Sequence, residues 1–234
     1  MLKPDCFKDG KFLTLTLSYD DGRCYDKKLV EIMNRYGIKG TFHLNSRLIQ
    51  TGSDSHVQFD EIPEVYKGHE VSCHCVTHPI MSELSQEGML HEILDDRQKL
   101  EEACGYPVRG MSYPFGDYSD DVIHIAKACG IVYSRTVGAR QDFKMPEDFL
   151  TWHSTCHHIH NLMELGERFL GLKDERVKRR RLMYVWGHSY EFNDQNNWAL
   201  IEQFCEKMAG HDDIWYATNM EIYEYIDASN RLVT

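Results

Sequence analysis

The segment Phe12–Ser18 alternates leucine with threonine and reads as a strand, because period-two alternation of apolar and β-branched residues suits a pleated surface. Lys27–Tyr36 carries Leu29, Val30, Ile32 and Met33 at helical spacing, with Gly37 as the stop signal. The same rhythm then repeats. Strands are expected over Gly40–Leu44, Glu70–Cys73, Arg109–Tyr113, Ile131–Ser134, Phe149–Thr155, Leu182–Trp186 and Ile214–Ala217. Helices are expected over Glu61–Tyr66, Ser85–Cys104, Ser119–Cys129, Asn161–Leu172, Asn196–Met208 and from Asn219 to about Ala228. Alternation of this kind predicts an α/β fold, a parallel sheet covered by helices. Seven or eight strand-helix units suit a closed or nearly closed barrel better than an open doubly wound sheet. No linker or internal repeat interrupts the pattern, so one domain is expected over residues 1–234.

Composition narrows the partners. Lys+Arg total 26 against 37 Asp+Glu, a formal net charge of −11. That balance argues against a nucleic-acid backbone or an anionic membrane surface as partner. The run Lys178–Arg181 reads as a solvated helix end rather than a nucleic-acid patch. No stretch approaches the ~20 apolar residues that membrane insertion needs. Met1–Cys6 shows no apolar run leading to a cleavage site, so a cytoplasmic location is expected; a trimmed leader would make it extracellular. The eight cysteines are scattered without a C-x-x-C pair and are expected to be reduced thiols. Nothing in the sequence sets the oligomeric state. No glycine-rich phosphate loop follows the first strand, which counts against a dinucleotide or P-loop site.

In a β/α barrel the reactive groups collect at the C-terminal ends of the strands. Just past the expected strands stand Asp20-Asp21-Gly22, His74 to His78, Tyr113-Pro114-Phe115-Gly116 and Gly187-His188. The histidines at 74 and 78 share a face if they occupy one helical turn, and two imidazoles there can grip one metal ion. A second pair, His153 and His157, falls on or beside an expected strand, where such residues stand ~13 Å apart. Core or supporting roles are expected for His153, His157, His158 and His160. Asp20-Asp21-Gly22 reads equally as turn chemistry or as paired carboxylates, one neutralising a metal and the other taking a proton. Two imidazoles and one carboxylate leave open positions on a divalent cation, as hydrolytic chemistry requires.

In combination these motifs resemble the polysaccharide deacetylase family, also called the NodB-homology or carbohydrate esterase 4 family. Its T-F-D-D-G motif stands here as Ser18-Tyr19-Asp20-Asp21-Gly22, and its H-[ST]-x-x-H motif as His74 to His78 after Gly68-His69-Glu70. Its R-P-P-Y-G motif stands as Ser112-Tyr113-Pro114-Phe115-Gly116, and its L-x-H motif as Trp186-Gly187-His188. Gly40-Thr41-Phe42 also fits, and the match runs in order from about residue 12 to 190.

The resemblance implies a distorted (β/α)7-type barrel. Asp21, His74 and His78 would hold a divalent metal, Zn²⁺ first, with Co²⁺, Ni²⁺ or Fe²⁺ also suited. Asp20 would be the general base and His188 the general acid. The Phe115 backbone N–H would serve the oxyanion, with Tyr113 beside it at the substrate. The implied activity is a metal-dependent deacetylase, a hydrolase of carbon–nitrogen bonds other than peptide bonds. It would remove an N-acyl group, above all N-acetyl, from an amino-sugar oligo- or polysaccharide. A small non-sugar amide as substrate, or a catalytically weak metal-containing carbohydrate-binding module, are the alternatives.

Three departures stand out. Ser112 replaces the motif arginine, and Arg109, three residues earlier, either substitutes for it or only pairs on the surface. Cys75 replaces a Ser or Thr and is expected to pack rather than bind metal. The fourth motif has no match at the right spacing among Asp142, Asp148 and Trp152, and Glu191 is the expected support for His188.

Overall fold

The computed structural model describes residues 6–50 and 54–231. Its elements, in order, are β1 (Leu13–Asp20), α1 (Asp26–Arg35), β2 (Gly40–Leu44), α2 (Ser46–Gln50), α3 (Ile62–Val65), β3 (Glu70–Cys73), α4 (Gln86–Cys104), β4 (Gly110–Ser112) and α5 (Asp120–Ala128). There follow β5 (Tyr133–Ala139), β6 (Trp152–Ser154), β7 (Cys156–His157), α6 (Leu162–Gly171), β8 (Arg181–Gly187), α7 (Ser189–Asp194), α8 (Trp198–Met208), β9 (Ile214–Tyr216) and α9 (Asn219–Arg231). The expected strands and helices are present, except that Phe149–Thr151 forms a 3-10 turn and leaves only Trp152–Ser154 as strand. Strand β7 and helices α2 and α7 are additional. The Lys178–Arg181 run is not a helix end: Arg181 opens β8, and Arg180 donates to the Cys6 carbonyl at 2.9 Å.

All strand pairs between these elements are parallel, in the order β6-β5-β4-β3-β2-β1-β8-β7, and β9 pairs the lower half of β1. The two ends of this path, β6 and β7, are neighbours in the chain, separated only by Thr155. Thr155 N–H donates to the Tyr184 carbonyl at 2.8 Å, and Tyr184 N–H donates to Thr155 Oγ1 at 3.0 Å. The sheet therefore closes on itself through one residue instead of through a ladder. With β6 and β7 as one stave, this is the distorted seven-stave β/α barrel that the sequence predicts.

Side chains alternate across the barrel wall, as strand geometry requires. Leu13, Leu15, Leu17 and Tyr19 of β1, Val71 and Cys73 of β3, and Met183 and Val185 of β8 face the helices. They share one apolar cluster with Leu29 and Met33 of α1 and Ile201 and Phe204 of α8. The opposite parity fills the lumen, and much of it is polar. Thr16 Oγ1 donates to Asn219 Oδ1 at 2.9 Å, Thr41 Oγ1 donates to Glu70 Oε2 at 2.9 Å, and His43 Nε2 lies 3.0 Å from Ser18 Oγ. Tyr133 Oη lies 2.6 Å from Glu70 Oε1 and 3.1 Å from Ser72 Oγ, reaching across β4. Gly110 of β4 allows that reach, because a Cβ there would overlap the Tyr133 ring. Such a lumen stays stable only with its polar groups paired. It also points Asp20, Ser112, Arg135 and Trp186 at one another.

Candidate active site

Asp20 is the last residue of β1, and the chain turns immediately after it. Asp21 N–H donates to the His43 carbonyl at 2.9 Å, and Asp21 takes φ 79°, which swings its carboxylate over the barrel mouth. His74 follows β3 directly. Its segment is a loop rather than the expected helical turn, with Cys75 at φ 64° and His78 at φ 58°. Buried Asp96 of α4 accepts from Ser46 N–H at 2.8 Å and His74 N–H at 3.0 Å, while Asn45 Nδ2 donates to the His74 and Cys75 carbonyls. Thr77 is held by Glu92 through its N–H at 2.9 Å and its hydroxyl at 2.6 Å. The two histidines thus meet through a strained, braced loop, with rings in edge contact at 4.7 Å between centroids. Cys75 is packed as expected, its Sγ 3.5 Å from Met81 Sδ.

Asp21 Oδ1 lies 3.7 Å from His74 Nε2 and 3.9 Å from His78 Nε2. Ligand atoms of the three residues lie within 4.8 Å of one another. His74 Nδ1 lies 2.9 Å from the Ser112 carbonyl. That contact fixes the proton on Nδ1 and leaves the Nε2 lone pair facing the carboxylates. Burial keeps His74 neutral by lowering its pKa against the pull of Asp20 and Asp21, as a ligand requires. This donor set fits a divalent cation.

Asp20 is as close to His74 Nε2, at 3.7 Å, but its carboxylate is already committed. Ser112 Oγ donates to its Oδ1 at 3.3 Å, and Arg135 Nη2 donates to its Oδ2. Burial alone would raise its pKa; Arg135, then His74 and His43, outweigh burial and hold it well below the usual carboxylate range. Arg135 is itself fully buried on β5, with its guanidinium 4.2 Å over the Trp186 ring. Arg135 is therefore the cation beside Asp20, and Arg109 is not. Arg109 precedes β4 at the opposite end of the barrel and reaches Glu224, 3.7 Å away. The reason is positional: strand starts and strand ends open on opposite mouths.

Across the cleft stands His188, immediately after β8. Its N–H donates to Glu191 Oε2 at 3.0 Å, and its Nδ1 lies 3.3 Å from the same oxygen. His157 Nε2 and His158 Nε2 lie 3.2 and 3.3 Å from Glu191 Oε2. Burial would lower the pKa of His188, yet Glu191, Asp20 and Asp21 raise it. Glu191, conversely, is held well below its ordinary range despite burial, by His157 and His188. Contact of Glu191 with His188, and of His157 and His158 with Glu191, fits the supporting roles expected of these residues.

The third loop brings Pro114–Gly116 into the mouth. Phe115 takes φ 56°, is 63 % exposed, and sets its ring edge-on to His78 at 4.4 Å. The turn is closed by Gly116 N–H donating to the Tyr113 carbonyl at 2.8 Å, a bond in which Phe115 N–H takes no part. Tyr113 lines the cleft, and its hydroxyl donates to the Leu150 carbonyl at 2.9 Å. Asp20, Asp21, His74, His78, Phe115 and His188 share one cleft of about 290 Å³.

The family model described as polysaccharide deacetylase matches residues 8–134, over half of the sequence. The chain belongs to the polysaccharide deacetylase family. The matched segment contains Asp20, Asp21, His74, His78, Ser112 and Phe115; Arg135, His157, His188 and Glu191 lie beyond it. The chain is similar to chitin deacetylase 1 of Cryptococcus neoformans, with 26% identity over 117 residues, 49% of this chain and 24% of that protein. It thus spans about a quarter of the length of that curated relative. A crystal structure from Mycobacterium smegmatis, assigned to the polysaccharide deacetylases, superposes with TM-score 0.70 at 16% identity over 98% of this chain and 96% of that one. A carbohydrate esterase 4 pseudoenzyme from Bacillus anthracis superposes with TM-score 0.58 at 18% identity, covering 90% and 65%. At these identities the likeness concerns the fold.

Proposed function

We propose that this member of the polysaccharide deacetylase family hydrolyses an N-acyl group, above all N-acetyl, on an amino sugar of an oligo- or polysaccharide. The observation that carries the reading is the cluster of Asp21, His74 and His78 between a charged carboxylate, Asp20, and a histidine with a raised pKa, His188. Asp21 Oδ1 and the two Nε2 atoms would hold a divalent ion, Zn²⁺ first. Co²⁺, Ni²⁺ and Fe²⁺ suit the same donors. When bound, the ion supplies Lewis-acid polarisation of the acyl oxygen and acidifies the attacking water.

The chain's own residues supply the rest. Asp20, which Arg135 holds in its charged form, accepts the water's proton. Ser112 and Arg135 fix the direction of its lone pairs. The Phe115 N–H donates to the carbonyl oxygen as that oxygen gains charge. His188 donates a proton to the departing nitrogen, since an amide anion is a poor leaving group. The products are acetate and a free amine. Eight free thiols support a cytoplasmic location as part of this reading. No helix among the described residues is long and apolar enough to cross a membrane.

Acetate release from N-acetylglucosamine oligomers, measured with and without chelator, tests the proposal. Release that stops on chelation and returns with Zn²⁺ is the expected result. Binding of the oligomers with no acetate released under any metal would overturn it.

A further inference from the structure

Glu191 Oε2 receives three imidazole nitrogens at nearly equal range: His157 Nε2 at 3.2 Å, and His158 Nε2 and His188 Nδ1 at 3.3 Å each. Ligand atoms of His157, His188 and Glu191 lie within 4.8 Å of one another. With bonds of ~2.0 Å, two ligands on a tetrahedral ion stand ~3.3 Å apart. The two His–Glu191 spacings therefore match those of ligands around one cation.

A second, independent observation concerns hydrogen bonding. His158 is 1% exposed, and neither of its ring nitrogens finds a hydrogen-bond partner among the described residues. His188 Nδ1 is likewise buried and unaligned with any acceptor. Buried imidazoles are ordinarily paired. Here they converge on one carboxylate oxygen without satisfying themselves on it. That oxygen already accepts the His188 backbone N–H at 3.0 Å. Gly187 keeps His158 in place, since a Cβ there would overlap its ring.

We propose that His157 Nε2, His188 Nδ1 and Glu191 form a second divalent-cation site, selective for zinc-like ions and separate from Asp21, His74 and His78. The consequence for catalysis rests on the role given to His188 above. An ion on Nδ1 displaces the proton that makes the ring an imidazolium. The remaining Nε2–H is then a far weaker acid, and the departing nitrogen loses its proton donor. One ion activates the enzyme and the next one silences it. Imidazole and carboxylate donors favour Zn²⁺, Cu²⁺ and Ni²⁺ over Mg²⁺ or Ca²⁺ at this site.

The test is equilibrium dialysis against Zn²⁺ alone, followed by elemental analysis. Wild-type chain is expected to hold two ions. Asp21→Ala/His78→Ala is expected to hold one, and adding His157→Ala to that variant is expected to abolish it. Adding Glu191→Gln instead should do the same, with circular dichroism confirming that each variant is folded. In the wild type, excess Zn²⁺ should cost about 10²-fold in acetate release, the lower end of a general acid's contribution, and His157→Ala should relieve that loss. No ion on Asp21→Ala/His78→Ala, or an ion that survives both further substitutions, overturns the second site while leaving the first untouched. Loss of the Asp21 ion alone would count against the proposed function instead.

Discussion

Arg135 of β5 donates from Nη2 to Oδ2 of Asp20 at the end of β1, and both side chains are buried, at 0% and 3% exposure. The pair spans the barrel lumen, since the sheet order puts three strands between β5 and β1. A buried carboxylate and a buried guanidinium justify each other here. Neither would be tolerated alone in this position.

Removing the cation should therefore be costly. Arg135→Ala is expected to destabilise the fold by about 3–5 kcal/mol, the range for stranding a buried charge. Arg135→Lys should recover only part, because an ammonium lacks the planar fork and the stacking on Trp186. Denaturant unfolding of the three proteins checks both statements.

The same pair sets an acid limb of stability. The folded-state pKa of Asp20 is depressed. Its contribution is thus complete above the unfolded value of ~3.9 and is lost as pH falls through the folded value. Wild-type stability should drop with falling pH more steeply than that of Asp20→Asn, measured as unfolding midpoints between neutral and acidic pH.

His188 behaves in the opposite sense. Its folded-state pKa is raised, so the stability it contributes is present below ~6.5 and lost as pH rises through the raised value. Glu191→Gln should remove the main support and let burial win, moving the His188 pKa down. Titration of the imidazole by NMR on the metal-free protein reads that shift, and the alkaline limb of acetate release should move the same way.

Gly187 precedes His188 and has no room for a side chain, because a Cβ would overlap the His158 ring. Gly187→Ala is expected to cost about 1–3 kcal/mol through overpacking. It should also displace the imidazoles around Glu191. Thermal unfolding together with the His188 titration checks it.

Much of this was legible in the sequence. The leucine–threonine alternation of β1 marks a wall with an apolar outer and a polar inner face, and the strand–helix rhythm gives the ring. Asp20, Asp21, His74, His78 and His188 could be found because each lies at the C-terminal end of a strand or in the loop just past it, where a barrel exposes its chemistry. Arg135 could not be found that way. It sits inside β5, and its opposition to Asp20 depends on how distant strands face across the lumen, which no local pattern encodes. One signal was available: a lone arginine in register with Tyr133 on a buried strand needs an anion. Arg109 misled because proximity in sequence to Ser112 hides the fact that β4 carries the two to opposite mouths. The His74–His78 spacing suits one helical turn, whereas Asp96, Asn45 and Glu92 build a loop that brings the two rings together all the same.

The account turns on one ion held by Asp21, His74 and His78. Anomalous X-ray diffraction at the zinc edge, from crystals grown with one equivalent of Zn²⁺, tests this most directly. The account predicts a single strong peak within bonding distance of Asp21 Oδ1 and both Nε2 atoms, absent in Asp21→Ala/His78→Ala. A first equivalent that settles elsewhere, or no peak beside these three side chains, would contradict it.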